Sequence, residues 1–344
     1  MVLTPTGSYH TYEGATVVAA GTLKLGSANA LGSTAGGTSI TAGAVLDLNG
    51  QTISNAEALT VRGTGISSGG AVINSSTTGA SYAGLITLGA ASSIVGGAGT
   101  ISLTHSGTIT GSTYGLTLGG ASGGSIASII GTGTGTLTKA DAGTWSLTGV
   151  NTYTGNTTIN DGTLAISGSG KIYSTVGGSG PVITVNSGAI LSITDWAYGG
   201  SFGTLFYDKT ALVINGGTLK YAGSSNTMDY NNGARGFTVG SSGATFETVT
   251  SGVTWNLYRD STVGYQAAFN GNVTFTGAGN GAIQQIISGS NALTKAGAGT
   301  WTLSGANSYT GGTTISGGIL SISSDANLGA VPGSVTTNSM TCLS

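Results

Sequence analysis

The sequence has few of the residues that metal sites, disulfide frameworks and charged binding surfaces require. Its 344 residues include one cysteine (Cys342), two histidines (His10 and His105) and three prolines. Charged residues make up 6%, against about 25% in an ordinary soluble domain. One cysteine excludes a disulfide within the chain, and with two distant histidines it disfavours a zinc site. We therefore expect no metal or other cofactor.

The sparse charges also exclude several kinds of partner. The net charge is −2, and no cluster of Lys and Arg marks the electrostatic footprint of a nucleic-acid binder. No apolar run approaches the roughly 18 residues of a membrane helix, so we expect no membrane insertion. The stretch Met1–Gly14 lacks a basic region followed by an apolar run. An exported chain is accordingly expected as a mature form or a fragment.

Glycine is abundant where charge is scarce. The chain has 65 glycines, close to three times the usual share of about 7%. Glycine recurs just before short segments in which apolar and polar residues alternate, a strand pattern. Consecutive segments are 22 to 29 residues apart, the length of one β-solenoid coil. These glycines are Gly21, Gly43, Gly162, Gly188, Gly217, Gly243 and Gly318.

The alternation predicts which side chains form the core. Stacked coils lie about 4.8 Å apart, a distance at which like charges repel and Thr, Ser or Asn side chains can bond to one another. We therefore predict an all-β fold, a single right-handed parallel β-helix over residues 1–344, its hand following from the crossover rule. The residues expected to point inward are Leu23, Leu25, Leu164, Ile166, Leu320 and Ile322.

A longer internal repeat is superimposed on this rhythm. Residues 136–167 and 292–323 are identical at 21 of 32 positions without a gap. The second copy continues to residue 329, and a partial copy covers 12–32. Such self-similarity is typical of repeat architectures.

The repeat resembles the autotransporter-associated β-strand repeat. The resemblance implies a non-enzymatic passenger that is extracellular or displayed on a bacterial cell surface, acting as a scaffold or adhesin. It rests on Leu137, Lys139, Gly143, Thr144, Trp145, Leu147, Gly149, Asn151, Tyr153, Gly155, Thr157, Ile159, Gly162 and Leu164. The second copy supplies Leu293, Lys295, Gly299, Thr300, Trp301, Leu303, Gly305, Asn307, Tyr309, Gly311, Thr313, Ile315, Gly318 and Leu320.

Three kinds of repeat side chain have an expected place. Trp145 and Trp301 are expected to pack inside a coil or at its corner. Lys139 and Lys295 are expected to close strands and face solvent. The repeat tyrosines are expected to stack or hydrogen-bond near a turn; they are Tyr12, Tyr153 and Tyr309.

Residues 195–275 depart from the regular composition. This segment holds nine of the 20 charged residues and 14 of the 23 aromatic residues. One interpretation is a wider coil with side loops filled by aromatic side chains. The other is a recognition patch for a glycan or a protein, since aromatic and charged side chains together suit both. The candidate binding residues are Trp196, Tyr198, Tyr207, Asp208, Tyr230, Arg235, Tyr258 and Arg259.

Two further hypotheses remain open at this point. β-Helices also carry polysaccharide lyases and hydrolases, and glycoside hydrolysis usually needs two facing carboxylates. Asp208 and Asp229, 21 residues apart, could lie on adjacent coils, so a carbohydrate-active enzyme is the alternative function. Neither end of the sequence shows a polar cap, although soluble solenoids cover their terminal coils. We therefore expect copies of the chain to stack end to end, as in a fibre. The alternative is an internal fragment that has lost its caps by truncation.

Overall fold

The described part of the chain forms two compact units. The computed structural model describes residues 1–3, 12–173, 181–197, 200–202, 209–227, 236–258, 267–330 and 335–337. The units are Met1–Ser174 and Thr175–Ser344.

The first unit consists of short strands and one 3₁₀ turn, Ile66–Ser68. The strands are β1 (Val2–Leu3), β2 (Thr16–Val18), β3 (Thr22–Leu25), β4 (Thr38–Ile40), β5 (Val45–Asp47), β6 (Thr52–Ile53), β7 (Leu59–Gly63), β8 (Val72–Ile73), β9 (Ala80–Tyr82), β10 (Ile86–Val95), β11 (Ile101–Leu103), β12 (Thr108–Ile109), β13 (Leu116–Gly119), β14 (Gly124–Ile126), β15 (Ile129–Ile130), β16 (Leu137–Lys139), β17 (Thr144–Leu147), β18 (Thr157–Ile159) and β19 (Thr163–Ile166).

These strands stack into parallel ladders. One ladder runs β1-β3-β5-β8-β10-β13-β16-β18 and a second runs β6-β9-β11-β14-β17-β19. A third runs β2-β4-β7-β10, so the long strand β10 belongs to two ladders. Trp145 pairs in parallel with Leu164, and Ile101 pairs with Gly124. The chain thus returns to the same face after each coil, which makes the unit a parallel β-solenoid, as predicted.

The second unit repeats this construction. Its strands are β20 (Ile183–Asn186), β21 (Ile190–Ile193), β22 (Leu212–Asn215), β23 (Thr218–Tyr221), β24 (Thr238–Val239), β25 (Ala244–Thr248), β26 (Thr254–Leu257), β27 (Ala268–Phe269), β28 (Val273–Gly277), β29 (Asn280–Ile283), β30 (Leu293–Lys295), β31 (Thr300–Leu303), β32 (Thr313–Ile315), β33 (Ile319–Ile322) and β34 (Val335–Thr337). The ladders are β20-β22-β24-β27, β21-β23-β25-β28-β30-β32-β34 and β26-β29-β31-β33. A 3₁₀ turn, Asp325–Leu328, follows β33.

Among the described residues, no helix is long and apolar enough to cross a membrane. The two helices there are Ile66–Ser68 and Asp325–Leu328. Each is one turn of 3₁₀ helix. The described residues contain no α-helix, in keeping with the all-β prediction.

Four of the six predicted inward side chains lie in the core, and the two on β33 do not. Leu25, Leu164 and Ile166 are at most 1% exposed, and Leu23 is buried as well. The prediction for β33 is only partly right, because Leu320 is half-buried and Ile322 is 37% exposed. β33 is the last strand of its ladder within the described residues, so no further described strand covers these two side chains.

Small neutral side chains line the outside, as the stacking argument predicts. One rank on the second unit is made of threonines from consecutive strands, each the register partner of the next. They are Thr218, Thr245, Thr274, Thr294, Thr314 and Thr336. Among the described residues, Lys220 and Glu247 are register partners of opposite sign, and their charged groups lie 3.8 Å apart. Stacking therefore gives an attraction at this pair.

The glycines before the strands allow the sharp turns between faces. Gly162 and Gly318 occupy the same repeat position and both have φ of +62°, a left-handed conformation that costs other residues free energy. This conformation explains why the glycine recurs at the strand start.

Candidate functional site

The repeat lysines are buried, which corrects the expectation that they face solvent. Lys139 and Lys295 are both 0% exposed. Lys295 is the third residue of β30, so alternation places it on the same inner face as Leu293. Its Nζ donates to the carbonyl oxygens of Ala296 (2.5 Å), Gly297 (3.0 Å) and Gly317 (3.0 Å). The ammonium group has three donors, and all three find backbone acceptors.

The first copy builds the same arrangement. Nζ of Lys139 donates to the carbonyl oxygens of Ala140 (2.6 Å), Asp141 (2.6 Å) and Asp161 (3.0 Å). Two of these carbonyls belong to aspartates, whereas the corresponding carbonyls of the second copy belong to glycines. The two copies therefore share hydrogen-bond geometry but differ in nearby charge.

This difference appears in the pKa of the two lysines. Burial lowers the pKa of Lys295 from its ordinary 10.5 to about 8, because the charged form loses hydration. Burial also lowers the pKa of Lys139, but the carboxylates of Asp141 and Asp161 act against it. Both shifts mean that the fold holds the charged amine less readily than water does.

We expect Lys295 to make the stability of the second unit depend on pH. Its folded-state pKa lies below the unfolded value. Between about pH 8 and pH 10.5 the unfolded chain therefore binds more protons than the folded chain, and the free energy of unfolding rises with pH. Between about pH 7.5 and about pH 9.5 the wild type should gain roughly 2 kcal/mol relative to Lys295→Met. Urea midpoints at both pH values measure this difference. Parallel pH profiles of the two proteins would contradict it.

The repeat asparagine joins three successive coils. Asn151 is 0% exposed. Its Oδ1 accepts from the backbone N–H of Ile130 (2.8 Å), and its Nδ2 donates to the carbonyl of Lys171 (2.7 Å). The first partner lies 21 residues behind and the second 20 residues ahead. One side chain thus adds to the backbone hydrogen bonds with the coil on either side.

The second copy repeats this bridge. Oδ1 of Asn307 accepts from the N–H of Ile287 (2.9 Å), and Nδ2 donates to the carbonyl of Asn327 (2.6 Å). Asn327 in turn donates from its Nδ2 to the carbonyl of Gly305 (3.0 Å). Both repeat asparagines belong to the sequence pattern, which does not indicate this role.

The aromatic residues of the repeat lie where they were expected. Trp145 and Trp301 are 0% exposed, and their Nε1 atoms donate to the carbonyls of Gly119 (2.9 Å) and Thr276 (3.3 Å). Each repeat tyrosine hydrogen-bonds the threonine four residues on. These pairs are Tyr12–Thr16 (2.7 Å), Tyr153–Thr157 (2.7 Å) and Tyr309–Thr313 (2.5 Å).

The first unit also contains a buried carboxyl group that no sequence pattern indicated. Glu57 is 1% exposed, and its Oε1 accepts from Oγ1 of Thr38 (3.0 Å). The hydroxyl of Tyr82 donates to the Glu57 carbonyl (2.7 Å). Burial raises the pKa of Glu57, since it disfavours the charged carboxylate.

Aromatic side chains fill the interior of the second unit. Trp255 lies at the centre, with ring centroids 5.3 Å from Trp196, 5.7 Å from Tyr221, 6.0 Å from Phe246 and 6.3 Å from Trp301. We use the name aromatic cluster for seven of these interior rings. Its members are Trp196, Phe202, Tyr221, Phe246, Trp255, Phe275 and Trp301. The described aromatics of 195–275 thus favour the interior-filling interpretation for those residues.

Two candidate binding residues fall within the described part of the chain. Trp196 is 3% exposed and packs edge-on against Phe202 at 5.5 Å, so it is placed as a core residue and not as a surface anchor. Tyr258 is half-buried, and its carbonyl accepts from Nε2 of Gln285 (2.7 Å). The candidates outside the described residues are Tyr198, Tyr207, Asp208, Tyr230, Arg235 and Arg259, as is Asp229 of the proposed acid pair.

The described strand ends around these candidates are in register. Ile193, at the end of β21, pairs with Tyr221, at the end of β23. On the returning side, Val213 of β22 pairs with Thr238 of β24, which pairs with Ala268 of β27. The strands that follow the connections 194–211, 222–237 and 258–267 therefore begin at the same corner of consecutive coils. The strands that precede the first two connections also end at a common corner.

Comparisons with known proteins agree with this architecture. The model of the passenger-associated-transport-repeat family matches residues 1–25, 137–166 and 293–322. The Adhesin BmaC autotransporter of Brucella suis biovar 1 (strain 1330) is 35% identical over 139 residues, 39% of this chain. The chain spans only 4% of the length of that relative. No solved structure matches the chain.

No group of three or more His, Cys, Asp or Glu side chains that could hold a metal ion occurs within the described ranges. What the described residues do contain is a repeated set of buried side chains that join coil to coil. The chain thus matches the passenger-associated-transport-repeat model in three segments, is similar over part of its length to an autotransporter adhesin, and forms two units that are each a parallel β-solenoid.

Proposed function

We propose that this chain is a scaffold segment of an extracellular, adhesin-type passenger without catalytic activity. The repeat family, the adhesin relative and the parallel solenoid support this function together. Such a passenger is extracellular or remains on the bacterial cell surface. The scaffold holds its coils rigidly through side chains that reach from one coil to the next.

The binding surface of the adhesin is proposed to lie on the three connections of the second unit. The observation that carries this proposal is the register of their flanking strands, which returns all three connections at one corner. Rigid scaffolds commonly present binding residues on connections of this kind. The partner is a surface protein or glycan that these residues contact. The contact residues would be Tyr198, Tyr207, Asp208, Tyr230, Arg235, Tyr258 and Arg259.

Shortening two of these connections is expected to abolish binding without unfolding the coils. Residues 203–208 and 228–235 would each be replaced by Gly-Asn, which removes Tyr207, Asp208, Tyr230 and Arg235 and retains every residue of β21 to β24. Adherence of the displayed chain to matrix-coated surfaces and glycan arrays measures binding, and far-UV circular dichroism measures the fold. Tyr114→Ser, which removes a 39% exposed aromatic side chain of the first unit, is the control and should bind normally. Undiminished adherence of the shortened chain would contradict this location.

We also propose that copies of the chain associate end-on. In the second unit Ile319, Ile322 and Val335 are 56%, 37% and 51% exposed. In the first unit Val17 is 62% exposed beside a groove of about 510 Å³. Apolar surface of this kind favours association. The particle mass measured by light scattering is therefore expected to rise with protein concentration. A constant monomer mass across the series would exclude such contacts.

A further inference from the structure

The register between neighbouring coils is weakly specified by the strands themselves. Side chains alternate with a period of two, so a slip of two residues keeps the same faces inside and outside. In the second unit, Thr294 pairs with Thr314. A two-residue slip would set it against Ser316, a side chain of similar size and chemistry. The outer row of threonines therefore adds little to the free-energy cost of a slipped register.

We infer that each repeat copy that contains the buried lysine and asparagine is a register lock, which determines the residues that pair between adjacent coils. The lock consists of these two side chains, each bonded to backbone atoms of a neighbouring coil. In the second copy they are Lys295 and Asn307, which are 0% and 8% exposed.

The bonds of the lock reach both ways along the solenoid. Nζ of Lys295 reaches the carbonyl of Gly317, 22 residues ahead. Asn307 bonds to Ile287, 20 residues behind, and to Asn327, 20 residues ahead. These three partners lie in turns or connections between strands, and a two-residue slip of extended chain would displace each of them by about 6–7 Å. Hydrogen bonds do not survive a displacement of that size.

A slipped register would leave the buried lysine ammonium one acceptor short and the buried asparagine amide without its partners on the neighbouring coils. Unpaired amide or ammonium groups in an apolar interior carry a large desolvation cost. Register slip is therefore penalised at the lock even where the outer faces accept it. The penalty acts on pairing itself and is distinct from the apolar packing that stabilises any register.

The first copy provides independent support. Lys139 reaches the carbonyl of Asp161, also 22 residues ahead. Asn151 bonds to Ile130, 21 residues behind, and to Lys171, 20 residues ahead. Both copies thus place the same side chains against backbone partners one coil away, although the surrounding residues and the nearby charges differ.

Engineered disulfides can test register directly in the full chain carrying Cys342→Ser. The native reporter is Thr294→Cys with Thr314→Cys, register partners on neighbouring strands, which lie about 4.8 Å apart, a spacing that a disulfide can span. The slipped reporter is Thr294→Cys with Ser316→Cys, whose Cα atoms lie about 8 Å apart in the native register, too far to be bridged. With the lock intact, only the native reporter should oxidise efficiently.

Removing the lock is expected to populate the slipped register. In Lys295→Met/Asn307→Leu, the yield of the slipped disulfide relative to the native one should rise about tenfold or more, because a bond from a charged donor is worth roughly that factor. The matched control, Lys220→Met, removes a partly exposed lysine of another strand. Its disulfide ratio should equal that of the unaltered chain.

The register lock would be overturned by one clear result. If the altered chain melts at a lower temperature and still forms only the native disulfide, the two side chains stabilise the coil without selecting its register. Circular dichroism identifies chains that have not folded. Should the double variant fail to fold, Lys295→Met and Asn307→Leu are read singly by the same disulfide ratio.

Discussion

Replacing Trp255 by alanine is expected to lower the free energy of unfolding by about 3–5 kcal/mol, the usual cost of removing a buried tryptophan. The side chain is 0% exposed and touches four other aromatic rings of the aromatic cluster. Its removal leaves a cavity whose lining loses both burial and ring contacts. Denaturant unfolding followed by circular dichroism measures the change.

The conservative variant Trp255→Phe separates ring packing from polarity. Nε1 of Trp255 is buried and has no hydrogen-bond partner among the described residues. Phenylalanine keeps much of the ring contact and removes that unsatisfied donor, whose burial is unfavourable. We therefore expect a loss well below that of the alanine variant. Equal losses for the two variants would show that ring contacts do not determine stability at this position.

Leu164→Asp is expected to destabilise the first unit by at least about 4 kcal/mol, since it places a carboxyl group without a partner in the core. Leu164 is 0% exposed and lies over Trp145 in the ladder. Thermal and urea unfolding would both register a loss of this size. The burial of the carboxyl group should also raise its pKa, so the loss should be smaller at acidic pH.

The neighbouring variant Ala165→Asp is the matched control. Ala165 lies one residue further along β19 and faces outward next to Ser146. The same carboxyl group at that position remains hydrated, so we expect a change within about 0.5 kcal/mol. If the two variants lost equal stability, the assigned inner and outer faces of β19 would be wrong.

The fold could be predicted because its signals repeat. An alternating strand preceded by glycine recurs along the chain, so a pattern that is weak in one coil becomes strong by repetition. The inner places of Leu164 and Ile166 followed from this alternation. The exposure of Ile322 did not, because burial depends on a covering strand that alternation alone does not specify.

The buried lysines could not be predicted by residue type. Lysine is almost never fully buried without a partner, and the partners of Lys295 are backbone carbonyls, which leave no mark in the sequence. Its alternation with Leu293 did contain the signal, since both residues lie on the same face of β30. The same reasoning applies to Trp196: composition identified an aromatic segment, and only the packing showed this ring to be interior.

The ladder geometry also bears on mechanical load. Backbone hydrogen bonds between parallel coils point along the stacking direction, so tension in that direction can peel coils away one after another. The side-chain bonds of Asn151 and Lys295 span neighbouring coils at two separate places. Forced unfolding is governed by the rate of opening, and each such place should slow the peeling. A passenger held taut in flowing liquid would then lengthen in discrete steps, pausing where a repeat copy is reached.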